Sequence, residues 1–589
     1  MARVASVPSC AMPPPHRPSR SQTRVRRAVA IGAVVVAAGG IGVVCASTGG
    51  PSERDAVQRF AHAWDRRDWA AMRRETTSDA QDRYRPAAFA QRYADAAGTA
   101  TISALKTGRP RETGDGHWRL PVVLQTRAFG TIRGDVALDV VKDADTARIA
   151  WTPRLVFPGL GAGEQLQRTT QMPDRADLLA RDGTPLAQGP ERSSPLGATA
   201  RAIVGALGPI PADRKARDAQ LGYPDGAQVG ISGLERAFDE QLAGTPGGEL
   251  RAGARLLAQR APRKAAAVRT TIAPKVQEAA VTALGGRLGG VVAIRPKTGE
   301  ILAAAGIGFS GLQPPGSTFK IITATSVLEN GVAKPTDTFP VQTAATLEGV
   351  ELQNANGEAC GGTLAVSFAL SCNSVFAPLG ARLGAAKLVA TAERFGFNTP
   401  TGITGAATAS IPPAGEIGDD LAVGSSAIGQ GRVQATALQM AIVAATIGLR
   451  GRRPDVTLDP DRWKVAPTHP ATSAKVARQV EKLMLGVVRF GTGTVAAIPD
   501  VKVAGKTGTA ELKSTQTCKP EPDNPESCQD QQQQADTTDT DAWFSSYAPA
   551  GSGHPRVAVG VLLVGAGAGG DTAAPAARQV LLAGLKNGS

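Results

Sequence analysis

Gln313-Pro314-Pro315-Gly316-Ser317-Thr318-Phe319-Lys320, continuing as Ile321-Ile322-Thr323-Ala324-Thr325, reads as a turn running into a helix. Pro314, Pro315 and Gly316 break whatever precedes them, and Ser317 stands where a helix begins. Three residues are almost one helical turn, so Lys320 falls on the face that carries Ser317. A hydroxyl beside a neutral amine can act as a nucleophile. A serine in this place can equally be an ordinary helix cap. Eight residues leave both readings open, and the choice falls to the rest of the chain.

The same Ser-x-x-Lys spacing occurs at Ser103-Ala104-Leu105-Lys106, inside an alternating stretch that predicts a strand, with no turn before it. The copy at Ser317 differs because two further motifs follow it in order. These are Ser371-Cys372-Asn373 and Lys506-Thr507-Gly508-Thr509, the second closing an expected strand Val501–Gly505. Strands are also expected at 290–294, 301–305, 541–548 and 555–564. Helices are expected at 276–284 and near 575–585, with helical patterns dominating 318 to about 450. Gly306-Ile307-Gly308-Phe309-Ser310-Gly311 matches a dinucleotide fingerprint, but it runs into Leu312-Gln313-Pro314-Pro315 instead of opening a helix.

The ordered trio Ser-x-x-Lys, Ser-x-Asn, Lys-Thr-Gly resembles the signature of penicillin-binding proteins and β-lactamases. The blocks PPGSTFKI, LSCNSVFAPLG, AIGQGRVQATALQMA, GTGTV and VAGKTGTAE carry the resemblance to class B penicillin-binding proteins, monofunctional peptidoglycan D,D-transpeptidases, over about 275–589. RADLLARDGTPLA resembles their dimerisation or pedestal region. A helix-then-sheet unit ending in WTPRLVFPGL resembles the NTF2-like extension of MecA-type members.

The resemblance implies a serine acyl-enzyme. Ser317 attacks a D-Ala-D-Ala stem peptide, releases D-Ala, and passes the acyl group to a neighbouring amine. Lys320 is the expected base, its pKa lowered by burial and by Lys506. Ser371 relays a proton to the leaving amine, and Asn373 holds Lys320 and the substrate amide. Lys506 adds positive potential, Thr507 and Thr509 bind the substrate carboxylate, and Gly508 permits close approach. The backbone N–H groups of Ser317 and Thr509 form the expected oxyanion hole. No cofactor and no metal are implied. Expected partners are stem peptides, β-lactams as covalent inhibitors and the membrane, and the reading admits a membrane glycan polymerase. Two rivals share the pocket: a D,D-carboxypeptidase or β-lactamase-type hydrolase, and a non-catalytic β-lactam sensor or scaffold.

The remaining composition bounds the rest. A chain of 589 residues needs several domains. The net charge is +14, but Arg3, Arg17, Arg20, Arg24, Arg26 and Arg27 stand in a tail with no acidic residue before Glu53. The remainder is a diffusely basic surface without a nucleic-acid motif. Ala28–Ala46 is an uncharged apolar run just long enough to span a bilayer, with arginines before it that stay inside. A cleaved signal at Val44-Cys45-Ala46 is the competing reading. Both send the chain to the extracellular face, where disulfides form. Cys360–Cys372 is the favoured pair, and Cys518 and Cys528 could clip a polar insertion.

The expected fold is therefore α+β and multidomain. A basic tail occupies 1–27, a transmembrane anchor 28–47 and an NTF2-like domain 52–158. A dimerisation or pedestal domain follows at 159–272. A transpeptidase domain at 273–589 combines an antiparallel sheet with a helical subdomain and carries the insertion at 512–540.

Overall fold

The computed structural model describes residues 52–511 and 540–587. The expected anchor at 28–47 and the pair Cys518 and Cys528 lie outside the described residues.

The first part is built from helices and then a sheet. Sequence texture predicts one or two helices before residue 100. Among the described residues there are four: Glu53–Asp65, Trp69–Arg74, Ser78–Arg83 and Pro86–Thr99. Short polar caps cut the run into pieces. Ser52 and Asp55 form a capping box, Asp68 and Thr77 cap the next two helices, and Pro86 opens the fourth. Val57, Phe60 and Trp64 recur at helical spacing and all are buried. The strand His117–Thr126 buries Trp118, Leu120, Val122 and Leu124 while the residues between stay outside that core. It pairs antiparallel with Ile102–Thr107 on one side and Gly130–Asp143 on the other. Trp64, Trp69, Phe89, Tyr93 and Trp151 pack ring against ring in the core that the sheet residues Leu120, Val122 and Leu124 share. The Trp151 indole donates to the Tyr93 hydroxyl at 2.9 Å, so the cluster leaves neither polar tip unpaired.

The middle part is held differently. Leu166–Gln171, Gly247–Ala252 and Arg255–Arg260 form a small antiparallel sheet. Beside it lies a buried ionic network. Arg175 reaches Glu235 at 2.6 Å and Asp239 at 2.8 Å, and Arg192 reaches Glu235 at 2.7 Å. Arg214 pairs with Asp239 and with Asp218. Each carboxylate is faced by at least one guanidinium, the arrangement that lets charge be buried.

The last part centres on a five-stranded antiparallel sheet. Its strands are β1 (Gly289–Arg295), β2 (Glu300–Gly306), β3 (Ala504–Glu511), β4 (Thr540–Ala548) and β5 (Val557–Leu563), in the order β2-β1-β5-β4-β3. β1, β2 and β5 are buried on both faces, which explains why they read as near-continuous apolar runs. Helices α1 (Pro274–Leu284) and α6 (Ala573–Asn587) cover one face. The other face meets α5 (Ala437–Gly448), the most completely buried helix of the domain. A Cβ on Gly560 of β5 would stand 2.0 Å from the Ala437 carbonyl, so only glycine allows α5 to lie that close.

Two expectations change. β3 is not Val501–Gly505 with the Lys-Thr-Gly motif at its end. It begins at Ala504, pairs Ala504 with Tyr547 and continues to Glu511 opposite Thr540, so Lys506 to Thr509 lie inside the ladder. The apolar run before the motif imitated a strand, but Val501 makes only an isolated bridge with Ile498. The middle of the domain is also less purely helical than its periodicity indicates. Thr338–Gln342 pairs with Cys360–Thr363, and Ala344–Leu347 with Val350–Gln353.

Candidate active site

The nucleophile turn is a single 3-10 turn, Gly316–Phe319, feeding α2 (Lys320–Glu329). Gly316 has φ +50°, and a Cβ there would stand 2.8 Å from the Thr509 carbonyl. Glycine therefore lets the turn rest on β3. The Gly316 amide donates to the Gly429 carbonyl at 3.0 Å, tying the turn to the segment before α5. Ser317 makes no capping hydrogen bond. The cap reading fails because the hydroxyl is engaged by Lys320, whose Nζ lies 2.9 Å from Ser317 Oγ.

Lys320 is fully buried, and its Nζ meets four oxygens. Besides Ser317 Oγ these are the Ser371 carbonyl at 2.7 Å, Asn373 Oδ1 at 2.6 Å and Ser371 Oγ at 3.3 Å. The Ser371 carbonyl and Asn373 Oδ1 can only accept. A neutral amine has two N–H groups for these two acceptors, which leaves its lone pair for the Ser317 hydroxyl proton. Burial, with the Lys506 cation as the second cause, holds the Lys320 pKa well below that of an ordinary lysine. Neither lysine has a carboxylate partner among the described residues.

The second motif is placed by a helix end. α3 (Leu364–Ala369) stops, and Ser371 adopts φ +64°, the left-handed conformation that closes many helices. The Ser371 and Cys372 amides donate back to Phe368 and Ser367. This backbone turn aims both the carbonyl and the hydroxyl of Ser371 at the lysines. Asn373 opens α4 (Asn373–Leu383), and its Nδ2 donates to the Gln353 carbonyl at 2.7 Å, which fixes Oδ1 toward Lys320. Cys372 points the other way into the core and is bonded to Cys360.

The third motif comes from β3. Lys506 is also fully buried; its Nζ lies 2.8 Å from Ser371 Oγ and 3.0 Å from the Thr507 carbonyl. Burial lowers its pKa to about 7. Ser371 Oγ thus sits between two amines, a position suited to passing a proton. A Cβ on Gly508 would come within 3.0 Å of Pro315, Trp543 and Thr318, so glycine here lets β3 touch the nucleophile turn. Thr509 Oγ1 accepts from the Gly569 amide at 3.4 Å, and Thr507 Oγ1 lies 2.5 Å from Thr492 Oγ1.

The structure therefore brings Ser317, Lys320, Ser371, Asn373 and Lys506 into one hydrogen-bonded group, with Thr507, Gly508 and Thr509 along the adjoining edge strand. Sequence reasoning assigned nothing to Thr492, Gln353, Gly429 or Gly569. Thr492 in GTGTV and Gly429 in AIGQGRVQATALQMA stand in blocks that carry the resemblance, the local signal for those two. The decoys separate cleanly. Ser103 and Lys106 lie in the strand Ile102–Thr107, where residues three apart point to opposite faces. The Gly306–Gly311 run leaves β2 as a turn, with Gly308 packed against Gly290 of β1.

Three family models match in chain order. An NTF2-like N-terminal transpeptidase domain matches 52–164, a penicillin-binding protein dimerisation domain 169–254, and a penicillin-binding protein transpeptidase domain 289–582. The chain is 34% identical over 420 residues to the peptidoglycan D,D-transpeptidase PbpA of Mycolicibacterium smegmatis, covering 61% of this chain and 80% of that protein. PbpA of Mycobacterium tuberculosis is 32% identical over 384 residues, covering 54% and 72%. Among solved structures, the crystal structure of M. tuberculosis PBPA aligns with TM-score 0.53 and 28% identity, covering 70% of this chain and 99% of that one. Its ceftriaxone acyl-enzyme complex aligns with TM-score 0.54 and 27% identity, covering 70% and 98%. The order of the three domains and this level of identity agree with the site geometry: the chain belongs to the family of class B penicillin-binding proteins, the peptidoglycan D,D-transpeptidases.

Proposed function

We propose that this protein cross-links peptidoglycan stem peptides through an acyl-enzyme on Ser317 and is blocked at the same residue by β-lactams. The observation that carries the reading is the Lys320 amine, buried without a carboxylate, 2.9 Å from the serine hydroxyl and saturated on its other side by acceptors. Neutral Lys320 takes the Ser317 proton as Oγ attacks the carbonyl of the penultimate D-Ala. Developing oxyanion charge is met by the backbone N–H groups of Ser317 and Thr509. The C–N bond breaks, and the departing amine takes its proton through Ser371, bridged between Lys320 and Lys506. Terminal D-Ala leaves. The amine of a second stem peptide then attacks the ester, Ser317 recovers its proton, and an amide cross-link remains. Lys506, Thr507 and Thr509 hold the terminal carboxylate of the donor. A β-lactam has the acyl group and carboxylate of the donor, but its leaving amine stays tethered.

The location and assembly belong to the same proposal. The apolar run at 28–47 anchors the chain, 1–27 stays cytoplasmic, and the domains at 52–158, 159–272 and 273–589 stand on the extracellular face. Support comes from the arginines preceding the run and from the substrate, which lies outside the membrane. Among the described residues no single helix is long and apolar enough to cross a membrane. A membrane glycan polymerase is a fitting partner, since this chain's matched domains supply cross-linking alone.

The test is incubation with a labelled penicillin followed by intact mass and peptide mapping. A long-lived adduct on Ser317, absent in Ser317→Ala, is expected, with cross-linked dimer formed from donor and acceptor peptides. Rapid loss of the label to water would replace the transferase by a hydrolase, and no adduct would sink the proposal.

A further inference from the structure

The Thr507 hydroxyl is the group expected to meet the substrate carboxylate, and its one hydrogen-bond partner among the described side chains is another hydroxyl. Thr492 Oγ1 stands 2.5 Å away, and either oxygen can donate. The direction of that bond matters. If Thr507 donates to Thr492, its only proton is committed, and it presents lone pairs to an incoming anion. If Thr492 donates, the Thr507 proton is free for the carboxylate, and the bond it receives strengthens the one it gives.

The surroundings of Thr492 favour the second arrangement. Among the described residues its hydroxyl has one other hydrogen-bond partner, the Ala369 carbonyl at 3.4 Å, a poor competitor for the proton at that length. The backbone that carries it is closely packed. Its amide is tied to the same Ala369 carbonyl at 3.1 Å, a Cβ on neighbouring Gly491 would lie 2.3 Å from that oxygen, and a Cβ on Gly570 would lie 2.4 Å from the Thr492 carbonyl. Backbone thus encloses Thr492 on both sides, its hydroxyl directed at β3. Thr507 is almost fully buried.

We propose that Thr492 is a positioning residue that turns the Thr507 hydroxyl into a donor for the substrate carboxylate. The inference rests on the acyl-transfer reading above and goes beyond it: recognition of the carboxylate depends on a hydroxyl that does not touch it. Valine at 492 keeps the shape and removes the donor, while serine keeps the donor and removes a methyl group.

The experiment compares the parent enzyme, Thr492→Val and Thr492→Ser. The second-order rate of Ser317 acylation is measured with benzylpenicillin and with its methyl ester, which lacks the anionic carboxylate. With benzylpenicillin, Thr492→Val should be slowed roughly tenfold, the loss expected for one hydrogen bond to a charged group. The methyl ester rate should change little, and Thr492→Ser should stay near the parent. Equal slowing with both probes, or no slowing with either, would overturn the inference and leave Thr492 a packing residue. A double-mutant cycle with Thr507→Val guards against a folding defect. Thr492→Val should add almost nothing in that background, and full additivity would also overturn the proposal. A parent enzyme with no adduct on Ser317 would bring down the acyl-transfer reading itself, and this inference with it.

Discussion

The middle domain and the active site both bury charged side chains, and they do it in opposite ways. In the middle domain Arg175, Arg192 and Arg214 are matched to Glu235, Asp239 and Asp218 at hydrogen-bond distance. In the active site Lys320 and Lys506 are buried at least as deeply, and their partners are hydroxyls, carbonyls and an amide. A buried charge that meets its opposite keeps its protonation state. A buried amine that meets only neutral acceptors gives up its proton more easily. The first arrangement holds a shape, and the second holds a base in readiness. The ring centroids of Phe376 and Phe368 stand 5.7 and 5.6 Å from the Lys320 and Lys506 nitrogens, adding to the low-polarity setting while offering a ring face to whichever amine is charged.

The largest effect should come from removing the amine that contacts the nucleophile. Lys320→Met should lower the rate of acylation by a labelled penicillin at least 10²- to 10⁴-fold, the range for loss of a positioned base. The protein should remain folded and as stable as the parent or more so. A variant that acylates at near-parental rate would show that Lys320 is not the base.

The paired region should respond in the opposite sense. Glu235→Gln leaves Arg192 buried without a carboxylate and Arg175 with Asp239 alone, which costs about 3–4 kcal/mol. Thermal or denaturant unfolding should report that loss. The protein still folded at low temperature should acylate at the parental rate, because no member of the network reaches Ser317. A large drop in acylation without a drop in stability would mean that the middle domain communicates with the active site, and the comparison would have to be redrawn.

The uneven legibility of these two regions has a physical cause. Ser317, Lys320, Ser371, Asn373 and Lys506 could be picked out because each belongs to a short local pattern, and the patterns recur in a set order. The strands β1, β2 and β5 could be read because burial on both faces demands apolar residues throughout. The ionic network could not, since Arg175 and Glu235 lie 60 residues apart and neither carries a local signal of its partner. The start of β3 differs from its expected place because Val501 and Val503 mimic a ladder that begins only at Ala504. The left-handed Ser371 was also hidden: a non-glycine residue in that region is uncommon, and its position depends on where α3 ends. Thr492 was quoted within a recognisable block, yet its role depends on a 2.5 Å contact across the fold.

Cys360 and Cys372 hold the Ser371 turn from behind. The bond closes a loop with a sequence separation of 12, and in the chain-entropy treatment such a loop contributes about 3 kcal/mol. Replacing both cysteines by serine should lower stability by up to that amount. Acylation should slow as well, since Cys372 lies between the two residues that engage Lys320. Unchanged melting with slowed acylation would make the bond a local clamp on the site rather than a support of the domain.

The smallest effect is the one that tests the comparison most directly. Lys506 has a folded pKa of about 7 against 10.5 for an ordinary lysine. Between those values the unfolded chain carries the proton and the folded one does not, so stability rises with pH across that window. At pH 7 nearly the whole penalty is present. Lys506→Met should therefore raise stability at pH 7 by about 1–2 kcal/mol, less than the full penalty because Ser371 Oγ and the Thr507 carbonyl lose a donor. The gain should shrink as pH rises toward 10.5. The same substitution removes a cation that depresses Lys320, so the rising limb of the acylation pH profile should move to higher pH. Glu235→Gln and Lys506→Met then have opposite signs for stability although both remove a buried ionisable group. A stability loss for Lys506→Met at pH 7 would mean that this amine is held charged by its hydroxyl and carbonyl partners, and the contrast between a paired network and a poised base would fail at Lys506.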